Sequence, residues 1–456
     1  MKSRVAGLLA LSVLPLAVVG PLLAQEQELP RSLRFSLGQT LSYGDTSGTT
    51  DESILLSTTS LGFKTSLKTA ITDLSFDTGT ALRIAGDGSG GAESEFDQPR
   101  LQLRYARRAA DADIAVAASF RRDDITYLRL LDIFVDEEGN LLLPDDIFQL
   151  QGSGERRDYS ASVQVNARKQ APLTLSFGLD LSGRDYVGVD TDALFDSRTI
   201  GANLGVGLRF SPVMQGNLAA SASLYEAEDI EETERLRQSL SFGLTRKLRE
   251  DLSLGASIGV SSTETETIAG TERIEGLTGS LDLGIDRPNG AISASIAADT
   301  TLSGTRVNAQ IGRSLSLANG GSLNATIGVT RPEDTGEIDT VATLGLNRPL
   351  GTGQLGLTYS RSATLIGVDQ EERLVNQLSA SYARPLTETL SIGLNGAYVD
   401  SDGDSRSSLS TSVNYALTEK LAVNTGYRFD SRASDGADND DSSIFISLGR
   451  AFDLPF

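Results

Sequence analysis

Histidine, cysteine and tryptophan are absent from all 456 residues. Without histidine or cysteine there is no serine–histidine, aspartate–histidine or cysteine–histidine catalytic machinery, and none of the usual zinc ligand sets. Without cysteine there is no disulfide framework either, so stability must come from packing or from a membrane. Of the common hydrolytic chemistries, paired-carboxylate glycoside hydrolysis alone needs neither residue. Nothing distinguishes such a pair here from a solvated acidic face, and the chain reads as a non-enzyme with no cofactor. Positive charge is scarce too: 40 Lys and Arg stand against 61 Asp and Glu, a net −21. That balance argues against nucleic acid or an anionic lipid surface as partner. Beyond Ala24 there is no apolar run long enough for a spanning helix, and 39% hydrophobic residues are too few for a helical membrane bundle. Yet 46 glycines against 12 prolines, with serine and threonine throughout, do not describe an ordinary soluble core.

The one long apolar run lies at the start. Lys2 and Arg4 precede Ala6 to Val19, and the segment closes at Leu22-Leu23-Ala24. This is the layout of a secretory signal peptide over 1–24, with cleavage after Ala24 and a mature domain over 25–456. A membrane-anchoring helix would need roughly 20 apolar residues, and Pro15, Gly20 and Pro21 interrupt the run. No cysteine follows the cut, so the chain is not a lipoprotein.

What fills the mature chain is alternation. Leu33, Phe35, Leu37, Leu41 and Tyr43 share one face of a segment whose other face carries Arg34, Ser36, Gly38, Thr40 and Ser42. The pattern returns in Leu74/Phe76/Leu82/Ile84, Leu101/Leu103/Tyr105, Ile114/Val116/Ala118/Phe120, Leu173/Leu175/Phe177/Leu179, Leu252/Leu254/Ala256/Ile258 and Leu421/Val423/Tyr427/Phe429. Successive side chains of a strand point to opposite faces, so each segment has one greasy and one polar face. Such segments of about ten residues number about 22, with Ser53–Lys68 and Asp299–Thr305 weakly patterned. Their connections alternate: short turns such as Arg107–Ala110, Arg168–Ala171, Arg287–Gly290 and Ala318–Gly321 against longer acidic ones at Ala227–Glu234, Thr263–Arg273, Arg331–Asp339, Asp400–Ser405 and Asp430–Asp441. Short turns at one end, longer loops at the other and an even strand count describe a transmembrane up-and-down β-barrel with both termini on the periplasmic side. In this register Tyr43, Tyr359, Tyr398, Tyr427 and Phe429 fall at external strand ends, and Tyr105, Phe210, Tyr382, Tyr415 and Phe452 at periplasmic ends, as aromatic girdles do. A soluble sandwich, β-helix or propeller would hide some strands on both faces and use more large core residues.

The C-terminus resembles the closing strand of outer-membrane barrels. Ser447-Leu448-Gly449-Arg450-Ala451-Phe452-Asp453-Leu454 is similar to their polar-x-Gly-x-x-hydrophobic-x-hydrophobic signal, and the chain ends on Phe456, with Pro455 a departure. The resemblance implies insertion into the outer membrane of a Gram-negative bacterium by the barrel-assembly machinery, with lipid and lipopolysaccharide as surroundings. It points to Ser447, Gly449, Phe452, Leu454 and Phe456 as the assembly signal, and it does not single out one named family.

A barrel of about 22 strands spaced about 4.8 Å apart and tilted about 40° is about 40 Å across its backbone. A hole that wide must be narrowed. Energy-coupled nutrient transporters of this strand number carry an N-terminal plug, but only about seven residues separate Ala24 from the first strand, so no plug is expected. The longest connection, Arg122–Glu155, combines Asp132, Asp136, Glu137, Glu138, Asp145 and Asp146 with Leu128, Leu130, Ile133, Phe134, Leu142, Ile147 and Phe148. It resembles the constriction loop of general porins, which also follows the fifth strand; folded inward, its carboxylates would favour cations. The alternative is an external hairpin turning near Glu138-Gly139-Asn140, with Phe134 and Leu142 pairing across it. Lumen-facing charges are expected at Arg34, Arg100, Arg104, Arg184, Arg209 and Arg237, and at Asp77, Asp113, Asp180, Asp282 and Asp286. Mixed charge with abundant hydroxyls suits ions and small hydrophilic solutes, hence a porin-like channel. Two other functions stay open. One is export, of an exopolysaccharide for example, with a periplasmic partner closing the lumen. The other is a structural or surface-binding barrel, with Asp400, Asp402 and Asp404 as candidate ligands for calcium or for magnesium bridging lipopolysaccharide phosphates.

Overall fold

A computed structural model describes residues 31–47, 52–86, 92–127, 131–134, 141–144, 146–150, 152–189, 191–333, 335–366, 371–434 and 437–454. The 1–24 segment lies outside them. The described residues form 22 antiparallel strands, β1 (Arg31–Ser47) through β22 (Ala437–Leu454), each hydrogen-bonded to its neighbours in sequence. β1 pairs with β22 from Leu33 opposite Leu454 to Ser47 opposite Asp440, which closes the sheet. Closure leaves the barrel without edge strands. No domain precedes β1 among the described residues, and no helix is long and apolar enough to cross a membrane.

Alternation decides which way each strand faces. On β11 (Leu252–Thr267), Ile258 and Val260 are exposed on the outside, while on β12 (Gly270–Arg287) Leu277 is 70% exposed. Leu204, Ile296, Ile311, Ile327, Ile444 and Ile446 are likewise exposed on their strands. A soluble protein buries such residues; here they form an outer belt, as a lipid-solvated surface requires. At the strand ends this belt carries exposed Tyr43, Tyr398 and Tyr427 at one rim and Phe210 and Tyr415 at the other.

One strand changes phase. On β4 (Ala92–Arg108), Gln98 and Pro99 together face Thr80 of β3 (Thr72–Gly86), and Gln98 takes a φ of 52°. Proline cannot donate to a ladder, so a bulge is where a barrel strand tolerates it. The extra residue lets Phe96 and Leu101, five positions apart, both face outward.

Three expected long connections are instead largely strand, among them Asp430–Asp441, where β21 (Leu421–Ser434) and β22 pair as far as Ser434 opposite Ala437. β11 and β12 pair from Leu252–Ile285 to Thr267–Gly270, leaving only Ile268 and Ala269 between them, so Thr263–Arg273 is a hairpin tip. Likewise β19 (Leu390–Ser401) and β20 (Asp404–Thr418) are joined by Asp402 (φ 48°) and Gly403 (φ 95°), both in the left-handed region that a two-residue turn needs. The reason is physical: beyond the bilayer both faces of a strand meet water, so the alternation stops while threonine-rich backbone continues to pair. The weakly patterned Ser53–Lys68 is nearly the whole of β2 (Glu52–Lys68).

Candidate functional site in the lumen

The connection between β5 (Ala112–Asp124) and β6 (Glu155–Ala167) enters the barrel. It leaves β5 through short 3-10 turns at Ile125–Tyr127 and Leu131–Phe134, and its stem is tied by Ile125 N–H donating to Gly154 O at 2.8 Å. The Leu131–Phe134 turn packs against β19 and β20, eight and seven strands round the ring from β5. Seven residues reach at most about 25 Å, whereas seven tilted strand spacings along the wall exceed about 40 Å. The segment therefore cuts across the lumen. Leu131, Ile147, Phe148 and Leu150 of the connection join Val375 of β18 (Glu371–Pro385) and Ala397 and Val399 of β19 in one buried apolar cluster. Leu131, Ile147, Val375 and Val399 have no exposure at all. Val375, Ala397 and Val399 lie on the inward face, opposite the outward Leu378, Leu394 and Tyr398. Within the connection Leu142 N–H donates to Phe134 O at 2.7 Å. The expected Phe134–Leu142 pairing is thus present, but in a segment packed on the inner wall, which corrects the external-hairpin alternative.

Charge holds the same segment. Asp146 is buried and meets Arg156 of β6 at 3.4 Å and Arg184 of β7 (Leu173–Val187) at 3.3 Å. Both arginines also meet Asp158, at 2.9 and 3.3 Å, and the Arg156 guanidinium lies 6.0 Å from the centre of the Phe134 ring. Arg432 of β21 (Leu421–Ser434) donates to the Phe148 carbonyl. Beside it Arg406 and Asp430, both buried, pair at 3.4 Å. On the other flank Arg83 joins Asp97 and Asp124, the latter at 3.3 Å, and Arg121 meets Asp123 at 2.5 Å. Buried ions persist when paired like this, and removing one partner is what costs.

The wall from β8 (Ser197–Ser211) to β17 (Gly353–Ile366) is different. Its inward positions are dominated by serine, threonine, asparagine, glutamine and glycine, many bonded across strands: Ser221 to Ser239 at 2.7 Å, Ser257 to Ser280 at 2.9 Å, Thr326 to Thr343 at 2.6 Å. This face is wettable, and its charges are scattered among the hydroxyls, with Arg306 paired to Asp299 at 2.7 Å, rather than gathered under a cover.

The residues singled out in the sequence are distributed as follows. Arg34 pairs with Asp453 at 3.4 Å, Arg100 with Asp77 at 3.8 Å, and Asp113 with Lys169 at 2.6 Å, all on inward positions. Asp180, Arg209, Asp282 and Asp286 lie on the inward face without joining the clamp, as does Arg104; Ser280 donates to Asp282 at 2.8 Å. Arg237 donates to the Thr300 carbonyl at 3.0 Å, three strands away. Of the connection's carboxylates, Asp146 is placed by the clamp; the Asp132 side chain and Asp136, Glu137, Glu138 and Asp145 lie outside the described residues. Asp400, Asp402 and Asp404 do not converge. Asp400 faces outward and accepts from Asn376 at 3.1 Å, Asp402 sits in the turn, and Asp404 faces inward and accepts from Ser434 at 2.5 Å. Among the described residues no three carboxylates form a metal-holding group. Of the assembly signal, Ser447, Gly449, Phe452 and Leu454 lie on β22, with Ser447 accepting from Thr40 at 3.0 Å and the Phe452 ring tilted against that of Phe35, centres 6.1 Å apart; Phe456 lies outside the described residues.

Sequence reasoning missed Arg83, Asp97, Asp123, Arg156, Asp158, Arg406, Asp430 and Arg432, and the apolar landing patch of Val375, Ala397 and Val399. The patch had a signal: two valines on the polar face of strands that otherwise alternate. Asp97 was hidden by the phase change at Gln98.

A closed 22-strand barrel with an apolar outside and a hydroxyl-rich inside is an outer-membrane β-barrel. Neither the family models nor the curated proteins contain a match to the sequence. Solved structures do resemble the fold. The FrpB iron transporter of Neisseria meningitidis (F5-1 variant) superposes with a TM-score of 0.59 at 12% identity, over 91% of this chain and 82% of that one. The alcaligin outer-membrane receptor FauA of Bordetella pertussis gives 0.52 at 10% identity, over 91% and 76%. A mutant of the ferric enterobactin receptor of Pseudomonas aeruginosa gives 0.51 at 12%, over 91% and 80%. These are transporters and receptors rather than enzymes, and at such identity the likeness is one of fold.

Proposed function

We propose that the chain forms a water-filled, porin-like channel for ions or small hydrophilic solutes, narrowed by its own β5–β6 connection. The observation that carries this reading is the course of that connection: it crosses to β19 and β20 and seats on Val375 and Val399, while the β8–β17 wall keeps an uncovered, hydroxyl-lined face. Because Asp146 is matched by Arg156 and Arg184, the clamp adds little net charge to the aperture. Selectivity for cations then rests on whatever carboxylates of 132–145 border it. The reading takes residues 1–24 as the export signal and β22 as the strand read by the barrel-assembly machinery.

The test is single-channel conductance of refolded protein in a planar bilayer. The reading expects a nanosiemens-scale open channel whose conductance rises when residues 133–148 are removed. A silent protein supports export with a periplasmic partner, or a structural barrel; unchanged conductance in the deletion refutes the constriction.

A further inference from the structure

The lipid-facing belt is interrupted at mid-height on β1 and β2. Gln39 stands between Leu37 and Leu41, both exposed and outward-facing, and opposite Thr59. Its carbonyl accepts from the Thr59 hydroxyl at 2.6 Å, and its amide nitrogen donates to Ser57 at 2.9 Å. Thr78 and Thr80 continue the polar patch on the outward face of β3, opposite Phe63 and Leu61. A primary amide has two N–H groups and two carbonyl lone pairs. The two bonds use half of each, and the exposed remainder faces a solvent of hydrocarbon tails, which offers neither donor nor acceptor.

Shape adds a second observation. Next to the patch, a groove of about 410 Å³ runs over Thr78 and Thr80 between Phe35, Phe63, Leu101 and Phe120. On the other side of β1, the closing strand raises a ridge of Ile444, Ile446 and Leu448, 63%, 54% and 46% exposed. A dimer whose subunits share one orientation in a membrane has its two-fold axis along the membrane normal. Each strand on one side of the axis then meets its mirror position on the other side in the partner. With the axis on the β1–β2 seam, β22 faces β3, so the ridge of each copy meets the groove of the other. The same operation brings Gln39 of each copy to the Gln39–Thr59 pair of the other.

We propose that the outer face from β22 to β4 is the docking surface for a second copy of this chain, centred on Gln39. Polar side chains act as glue between membrane-embedded segments because lipid cannot satisfy them. An amide is its own hydrogen-bond complement. A two-fold contact therefore satisfies both copies at once, and replacing Gln39 by leucine removes the attraction while making the belt more lipid-compatible.

The chain has no cysteine, so a single introduced one reports on this contact alone. Leu41→Cys, beside Gln39 on the outward face of β1 and leaving its amide in place, is oxidised in outer-membrane vesicles beside Ile311→Cys, a lipid-facing control on β14 (Gly304–Ser316). The cysteine-free protein and Gln39→Leu are sized by light scattering in mild detergent. The proposal expects a disulfide-linked dimer for Leu41→Cys only, a dimeric mass for the natural chain, and at least a tenfold weaker association for Gln39→Leu with its barrel circular dichroism intact. A monomeric mass, equal cross-linking at both positions, a different protein attached at position 41, or a Gln39→Leu protein that associates as before would each overturn it.

Discussion

The two halves of the inner wall are built on different principles. From β3 to β7 and again from β18 to β21, inward positions carry buried arginine–carboxylate pairs and a small apolar patch, all beneath or beside the β5–β6 connection. From β8 to β17 the inward face is mostly hydroxyls, amides and glycine open to the lumen, with scattered charges such as Arg209, Asp282 and the Asp299–Arg306 pair. Buried charge is tolerated only when something covers it and pairs it, whereas a hydroxyl face is stable against water with no cover. The difference therefore records where the connection lies.

The sharpest contrast should be in stability. Arg83→Leu leaves Asp97, which is only 1% exposed, without its guanidinium, and should cost about 3–5 kcal/mol in urea unfolding from lipid vesicles. A cost within experimental error would mean that water reaches Asp97 and that the covered half is not dry. Next comes the clamp. Asp146→Asn keeps shape but removes the charge shared by Arg156 and Arg184, and should lower stability by about 2 kcal/mol and increase open-channel current noise as the connection loosens. An unaltered noise spectrum would separate the clamp from the aperture. On the open half, Ser257→Ala breaks a cross-strand hydroxyl bond in water and should cost less than about 1 kcal/mol. A larger loss there would erase the distinction between the walls.

The smallest effect concerns the rim of the open half. Glu333 accepts the Thr305 backbone N–H at 3.0 Å, and that bond, with a further one from the Thr305 side chain, holds its carboxyl below the ordinary 4.5. A depressed carboxyl adds local stability that is complete above its unfolded pKa and vanishes as pH falls through the folded value. Hydrogen-exchange protection of the Thr305 amide should thus drop on acidification below the ordinary carboxylate range, and Glu333→Gln should remove that dependence. Protection flat with pH in the natural chain would show that the bond is not made.

How much of this was legible depends on what alternation can encode. The outer face was readable because lipid imposes one rule on every second residue of strands such as β1, β11 and β22. β2 resisted, since Ser57 and Thr59 occupy its outward positions. The hairpin tips at 263–273 and 400–405 read as loops because water on both sides erases the alternation without erasing the pairing. The site was less readable. Its partners sit far apart in sequence, Asp146 with Arg184 and Phe148 with Arg432, and come together only because a ring of 22 strands places β5 within reach of β19 across the lumen. No local pattern carries that information.

Thiol accessibility across the lumen tests the covered-and-open wall most directly. Val399→Cys and Thr343→Cys each place one thiol on the inward face, the first fully buried beneath the connection and the second exposed on the open wall. A water-soluble, membrane-impermeant thiol reagent should modify the thiol at 343 rapidly, and the thiol at 399 only after residues 133–148 are deleted. Equal rates in the full-length chain would contradict the account.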